Sequence, residues 1–401
     1  VFVARQPIFD TANRRVAYEL LYRANEQATS ADGISQDAMC SDTALHAVVS
    51  IGLDRLTGGV SAFVNVSRDH LVGELYRVFD PTTVVLELLE SIDGDPDVVA
   101  ACEQAVANGY TLALDDYDAR PGLDALLPFV QIVKLDVLNR SAENLRPVVT
   151  KLRQRNLRVL AERVEDEATR VMCRDLGCEL FQGYVFSRPE TLGGRTISLQ
   201  QTAMLNVMGL LNDPRVGDAE LQDAFRSHPS LTLALLRIVN SASFGTRNVV
   251  SIPHAIQLIG RDSLSRWLMV MFVASLAHGN PLTTEIVFKA MIRGRFSELL
   301  TLRGMTGDPA ARFLVGLLSC IDGLLGQPME SVLERLPVNQ DVRNALLLNE
   351  GPHAPVLSLV QAYESGDWEY VDRVQDLVLL HDANIADVYG ESVDWARARL
   401  E

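Results

Sequence analysis

The sequence predicts a multidomain chain: an α/β barrel followed by an all-α half. Three observations carry that expectation. Short β-rich runs alternate with helical patterns from Val1 to Arg188, polar or titratable residues stand near the ends of successive runs, and apolar residues recur at helical spacing from Leu199 onward. An open doubly wound sheet fits less well, because no Gly-rich phosphate fingerprint follows an early strand. A length of 401 residues exceeds the usual single domain, and 48% hydrophobic residues can fill substantial cores.

The strand candidates come in order along the chain. Val16–Arg23 contains Glu19, and Phe63–Ser67 contains Asn65 and leads into a helical stretch. Val84–Glu90 contains Glu87 and precedes a helix over Asp97–Asn108. Thr111–Leu114 runs into Asp115 and Asp116, Ile132–Asp136 contains Lys134, Leu160–Ala161 runs into Glu162, and Leu180–Tyr184 contains Gln182. If each run is a barrel strand, these side chains converge on one rim, where barrel enzymes place their chemistry. Their oxygens suit hard divalent cations.

Each residue also has an ordinary role open to it. Glu19, Glu87 and Glu162 can be simple strand-end carboxylates, and Asp115-Asp116 can cap a helix. Asn65 can satisfy a turn, Gln6 and Gln182 can bond backbone, and Arg23 and Lys134 can form structural ion pairs. Their shared order along the chain is what favours a site.

The turn-rich stretch Ser187–Arg195 marks the expected boundary. It divides the chain into a barrel over 1–190, a connecting segment over 191–198 and a helical domain over 199–401. In that domain Leu231–Val239 and Trp267–Leu276 repeat at helical spacing. The stripe of Trp267, Met269, Met271 and Phe272 is either core or an interface.

A formal charge of −16 argues against broad attraction to nucleic-acid polymers or anionic membranes, while leaving room for a local nucleotide pocket. Cys40, Cys102, Cys173, Cys178 and Cys320 are scattered without zinc or disulfide spacing, so buried reduced thiols are expected. Neither a membrane span nor a signal peptide is evident, and the expected location is the cytoplasm.

The order of motifs from Gln6-Pro7-Ile8 to Phe181-Gln-Gly-Tyr-Val-Phe186 resembles the EAL family of cyclic dimeric GMP phosphodiesterases, with the name-giving triplet present as Glu19-Leu20-Leu21 ahead of Arg23. In the second half, Leu236–Gly245, Ser251–Gly260 and Leu264–Trp267 resemble the HDOD domain. The resemblance implies an EAL-like modified TIM barrel followed by a helical HDOD domain, in a bacterial signalling protein. It implies Mg2+ or Mn2+ held by Glu19, Asn65, Glu87 and Asp115, with Asp116 helping a second ion. Lys134 would orient water or stabilise phosphate charge, and Glu162 would bind metal or transfer a proton. Gln6, Arg23 and Gln182 would contact cyclic dimeric GMP. HDOD would bind an unidentified signalling protein or a second copy of the chain. It would not hydrolyse phosphodiesters: His381-Asp382 is the only adjacent His-Asp pair, and His228, His254 and His278 are isolated.

Two departures from the EAL pattern point to a degenerate barrel, weak in catalysis or acting as a nucleotide sensor. Asp118 and Arg120 occupy glycine positions in the loop after Asp115-Asp116, where positive φ becomes harder. Arg163 replaces another glycine: turned inward it would compete with metal for Glu162, and turned outward it would leave catalysis intact. Glu90 and Asp136 are supporting candidates. The alternative is an active phosphodiesterase producing linear pGpG, and a third reading is a scaffold without nucleotide.

Overall fold

The chain begins with an antiparallel pair, β1 (Phe2–Asp10) and β2 (Arg15–Arg23), joined by a turn in which Asp10 Oδ1 accepts from the backbone of Ala12 and Arg14. Asn13, at φ 58°, supplies the left-handed step of that turn. The computed structural model describes residues 2–23, 53–183, 198–239, 249, 251–277, 281–377 and 385–400.

Six further strands follow: β3 (Ser61–Val66), β4 (Val84–Leu88), β5 (Thr111–Leu114), β6 (Ile132–Asp136), β7 (Arg158–Glu162) and β8 (Leu180–Phe181). From β2 to β8 each strand pairs in parallel with the next, and β8 returns antiparallel to β1, closing the barrel. The reversed β1 is the modification of the all-parallel barrel.

Helices α1 (Leu53–Thr57), α2 (Arg68–Val72), α3 (Pro96–Ala107), α4 (Pro121–Asp124), α5 (Ala142–Gln154) and α6 (Glu167–Leu176) lie between the strands. Local chemistry sets their ends. Asp95 accepts from the amides of Asp97 and Val98, Asp166 accepts from that of Thr169, and Gly177 ends α6 at φ 109°. Cys102, Cys173, Cys178 and Cys320 are buried free thiols, and Cys40 lies outside the described residues.

The second half is helical: α7 (Leu199–Asn212), α8 (Asp218–Arg226), α9 (Pro229–Val239), α10 (Ile252–Ile259), α11 (Arg261–Ser275), α12 (Pro281–Leu302), α13 (Pro309–Leu318), α14 (Ile321–Leu325), α15 (Met329–Leu333), α16 (Gln340–Leu348), α17 (Ala354–Ser365), α18 (Trp368–Leu377) and α19 (Ile385–Leu400). Helix α12 is buried around most of its circumference, the pattern of a central core helix. A Cβ at Gly316 would lie 2.4 Å from the Arg293 carbonyl oxygen, so glycine there allows α13 to sit close against α12. Of the expected connecting segment, Ser198 alone is described; it caps α7 reciprocally with Gln201.

The outer face of β1 and β2 packs against the helical half. The Tyr363 hydroxyl donates to the Val3 carbonyl and accepts from its amide, and the Arg5 guanidinium lies 4.2 Å from the Tyr18 ring and 4.6 Å from that of Phe288. At the other edge, Arg55 pairs with Asp394, and Arg397 donates to the carbonyls of Asp54 and Arg55. One apolar cluster therefore runs from the barrel's outer shell into the helices, which couples the stability of the two halves. Among the described residues, no helix is long and apolar enough to cross a membrane.

Candidate active site

The barrel interior is built in layers. Ile8, Ala17, Phe63, Val85, Ala113, Ile132, Leu160 and Leu180 form a separate apolar plug, one residue from each strand. Side chains alternate along a strand, so the residue two positions nearer the rim faces the same interior. Those residues are Gln6, Glu19, Asn65, Glu87, Asp115, Lys134, Glu162 and Gln182. A polar layer thus rests directly on a dry one.

Lys134 stands at the centre of this layer, with its side chain 1% exposed. Its Nζ contacts Glu87, and lies 2.8 Å from Glu162 Oε1, 2.9 Å from Asp115 Oδ1 and 3.4 Å from Glu19 Oε2. Gln182 Nε2 donates to Glu19 Oε2 at 2.6 Å and to Gln6 Oε1 at 2.8 Å. Asn65 is half-buried beside Glu87, its register partner. The backbone of Arg23 closes β2, but its side chain lies outside the described residues.

Burying an ammonium costs several kcal/mol, whereas a unit-charge pair 4 Å apart gains about 4 kcal/mol at an effective dielectric near 20. Burial therefore pulls against the Lys134 charge, but four carboxylates outweigh it and hold the ammonium well above the ordinary lysine range. The carboxylates bear the remaining imbalance. Burial, with the charges of Glu19 and its neighbours, pushes Glu87 well up, and burial raises Glu162 to about 8 despite the opposing pull of Lys134. Asp116 is also raised, first by burial and then by Asp115, Glu90 and Asp136.

Asp115, Asp116 and Glu162 bring oxygens within 4.8 Å of one another at the rim, and the inner Glu87 Oε2 is buried with no protein hydrogen-bond partner. Oxygen donors and surplus negative charge, with no thiol or imidazole in this group among the described residues, fit a hard divalent cation.

The rim shows where its left-handed backbone lies and which way Arg163 points. Left-handed backbone falls on Asp116 (φ 39°) and Ala119 (φ 65°), not on Asp118 or Arg120. Arg120 has φ −69° and precedes α4, while Asp118 Oδ1 accepts from the Arg120 amide. Arg163 has φ 55°, the conformation that explains glycine at such a position, and its side chain is 60% exposed. It pairs with Asp136 at 2.8 Å and leaves Glu162 to Lys134. Glu90 is exposed and acts on Asp116 through charge alone. Gly183, at φ 148°, passes so close to Val164 that a Cβ would lie 2.3 Å from its amide nitrogen.

A cavity of about 1190 Å3 opens beside this rim. Glu19, Glu162 and Gln182 bound it on the barrel side, and Lys289, Arg293 and Glu364 bound it on the helical side. The helical wall was missed in the sequence, as were Arg15, Tyr18 and Glu285 between the two halves. A charged Glu285 beside Ile286 and Val287 was the available signal.

In the helical half, no His/Asp group with metal-ligand proximity occurs among the described residues. His228 is half-buried and His254 exposed, whereas His278 and His381-Asp382 lie outside the described residues. The apolar stripe divides: Met269 and Phe272 are core, while Trp267 and Met271 line a shallow groove with Leu233.

The EAL domain model matches residues 1–189, and the HDOD domain model matches residues 197–332. The uncharacterized protein YuxH of Bacillus subtilis is 30% identical over all of this chain and 99% of its own length. The cyclic di-GMP phosphodiesterase CdgJ of Vibrio cholerae is 29% identical over 93% of this chain and 87% of its own length. An EAL domain protein of Listeria monocytogenes superposes with a TM-score of 0.37 at 21% identity, over 47% of this chain and 87% of that one. With a closed barrel carrying the EAL motifs and a helical half carrying the HDOD motifs, this chain belongs to the EAL-HDOD family, in which a domain of the cyclic dimeric GMP phosphodiesterase family precedes an HDOD domain.

Proposed function

We propose that the barrel, residues 1–190, binds cyclic dimeric GMP with Mg2+ or Mn2+ and hydrolyses it to linear pGpG. The observation that carries this reading is the polar layer itself: four carboxylates surround one ammonium, leaving a surplus of negative charge beside the Asp115-Asp116-Glu162 rim. The name of the relative CdgJ points to the same reaction.

Asp115, Asp116 and Glu162 would hold the cation, with Glu19, Asn65 and Glu87 as further oxygen donors. A divalent ion there supplies Lewis acidity and an acidified water. Lys134 keeps its proton and offers positive charge to the phosphoryl oxygens. Glu162, beside Lys134, is suited to exchanging a proton with water or the leaving oxygen. Gln182 donates to Glu19 and Gln6 and so orients both, its carbonyl oxygen is left to accept from water or substrate, Gln6 donates to substrate through Nε2, and Arg23 is proposed as a bidentate phosphate contact.

The expectation of a degenerate barrel rested on Asp118, Arg120 and Arg163. The negative φ of Arg120 and the outward Arg163-Asp136 pair weaken both grounds and favour the phosphodiesterase. The left-handed backbone at Asp116, Ala119 and Arg163 costs about 1 kcal/mol of stability each. The helical domain, residues 199–401, is proposed to bind a signalling protein or a second copy of the chain in the cytoplasm, joined to the barrel by 191–198.

The test incubates the full chain with cyclic dimeric GMP and Mn2+ and follows pGpG by chromatography. Formation that stops on chelation, and falls at least about 100-fold in Glu162→Gln, is expected for a residue acting in proton transfer or metal binding. Binding without turnover would select the sensor, and neither binding nor turnover would select the scaffold.

A further inference from the structure

Strands β1 and β2 carry different neighbours on their two faces. On the inner face, Gln6 and Glu19 are register partners, and both accept from Gln182 Nε2. On the outer face, the adjacent residues Arg5 and Tyr18 meet the helical half. The Tyr18 hydroxyl donates to Glu285 Oε1 at 2.7 Å, and Arg15 Nη1 donates to Glu285 Oε2 at 2.5 Å and to the Tyr18 hydroxyl at 3.1 Å. Glu285 is 6% exposed and Tyr18 1% exposed, so water replaces few of these bonds. Glu285 bounds the same cavity as Glu19 and Gln182. Consecutive Cα atoms are separated by a fixed distance of about 3.8 Å. A shift of Tyr18 outward therefore carries Glu19 with it, away from Lys134 and Gln182.

We propose that Glu285 of the helical half is a positioning residue for the barrel site: by holding Tyr18 and Arg15 it fixes Glu19 against Gln182 and Lys134. The barrel's polar layer is then completed from outside the barrel, and a protein that draws α12 away from β2 loosens the site. This inference deepens the phosphodiesterase reading and rests on it for its functional consequence.

Two measurements on the full chain test it: Mn2+ affinity by calorimetry, and hydrogen exchange of peptides covering β2 and β8. Tyr18→Phe keeps the packed ring and removes the hydroxyl, so it reports on the linkage if Glu285→Ala fails to fold. The expected result is an increase of about fivefold in the Mn2+ dissociation constant, the low end of coupling between sites, with faster exchange in both β2 and β8. Glu285→Gln, which keeps an acceptor for Tyr18, should change both readouts less than Glu285→Ala. Asp394→Asn breaks the interface ion pair with Arg55 and should change neither. Wild-type exchange in β8 for Tyr18→Phe, or the same response in Asp394→Asn, overturns the proposal. If the wild-type chain takes up no Mn2+, the phosphodiesterase reading fails, and the exchange in β8 alone decides this inference.

Discussion

Two buried ionic groups lie on opposite faces of the same strand pair, and they are balanced differently. Outside, Glu285 meets one guanidinium and one hydroxyl, so both carboxylate oxygens are matched by the chain itself. Inside, the Lys134 ammonium meets four carboxylates, and Glu87 retains a buried oxygen without a protein partner. A matched group can lock two parts of a fold together without further help. An unmatched group instead stores negative charge that protons or cations must answer. The difference separates the surface that docks the two halves from the layer suited to bind an ion.

Removing the cation from each group gives the largest contrast. Lys134→Met leaves the carboxylates without their counter-charge and is expected to destabilise the metal-free chain by about 3–5 kcal/mol, the usual effect of breaking a buried ion pair from one side. Arg15→Met removes a partner that is 30% exposed and leaves Glu285 its bond from Tyr18, so the loss should be smaller, about 1–3 kcal/mol. Denaturant titrations should also find that Mn2+ restores more stability to Lys134→Met than to wild type, because the ion takes over the ammonium's electrostatic role. Equal losses in the two variants, or no recovery with Mn2+, would remove the distinction between a docking group and an ion-binding one.

A pH series sharpens the same contrast with a smaller effect. In the metal-free chain the Glu162 carboxyl, raised to about 8 chiefly by burial, keeps its proton in neutral solution. The folded state then holds a proton that the unfolded chain releases near 4.5, so this group's stabilising contribution is present at low pH and is lost as pH rises toward 8. Ion binding runs the other way. Mn2+ must displace that proton, so its affinity should rise by up to about tenfold per pH unit below 8 and level off above it. Calorimetry from pH 6 to 9 should show this slope in wild type and a flatter one in Glu162→Gln. Tyr18→Phe, acting through position, should lower affinity while keeping the wild-type slope.

The polar layer was legible in the sequence because alternation is a strict rule inside a closed barrel. Once Phe63, Val85 and Ile132 face inward, so do Asn65, Glu87 and Lys134 two residues later. The helical half was legible for a related reason, its apolar spacing near 3.6 residues. What escaped depends on contacts or chain paths that no short period encodes. Glu285 reaches Tyr18 across 267 residues of sequence. The left-handed turns fell on Asp116 and Ala119 because they are set by where the chain leaves β5, not by a position transferred from a motif. Similarly, Met269 and Trp267 share a stripe in sequence, but only Met269 is buried.

Arg163 gives the smallest expected effect and bears on whether the barrel is degenerate. Glycine there would relieve left-handed strain of about 1 kcal/mol. It would also lose the exposed ion pair with Asp136, worth about 0–1 kcal/mol, and gain freedom in the unfolded chain of comparable size. These terms nearly cancel, so Arg163→Gly should unfold within about 1 kcal/mol of wild type. Because the guanidinium points away from Glu162, Mn2+ affinity and pGpG formation should also stay within about twofold, a difference below roughly half a kcal/mol. A gain of about tenfold in Mn2+ affinity would show that Arg163 spends time folded inward and competes for Glu162. The surplus negative charge of the inner layer would then be partly answered by the chain itself, and the contrast with the docking group at Glu285 would narrow accordingly.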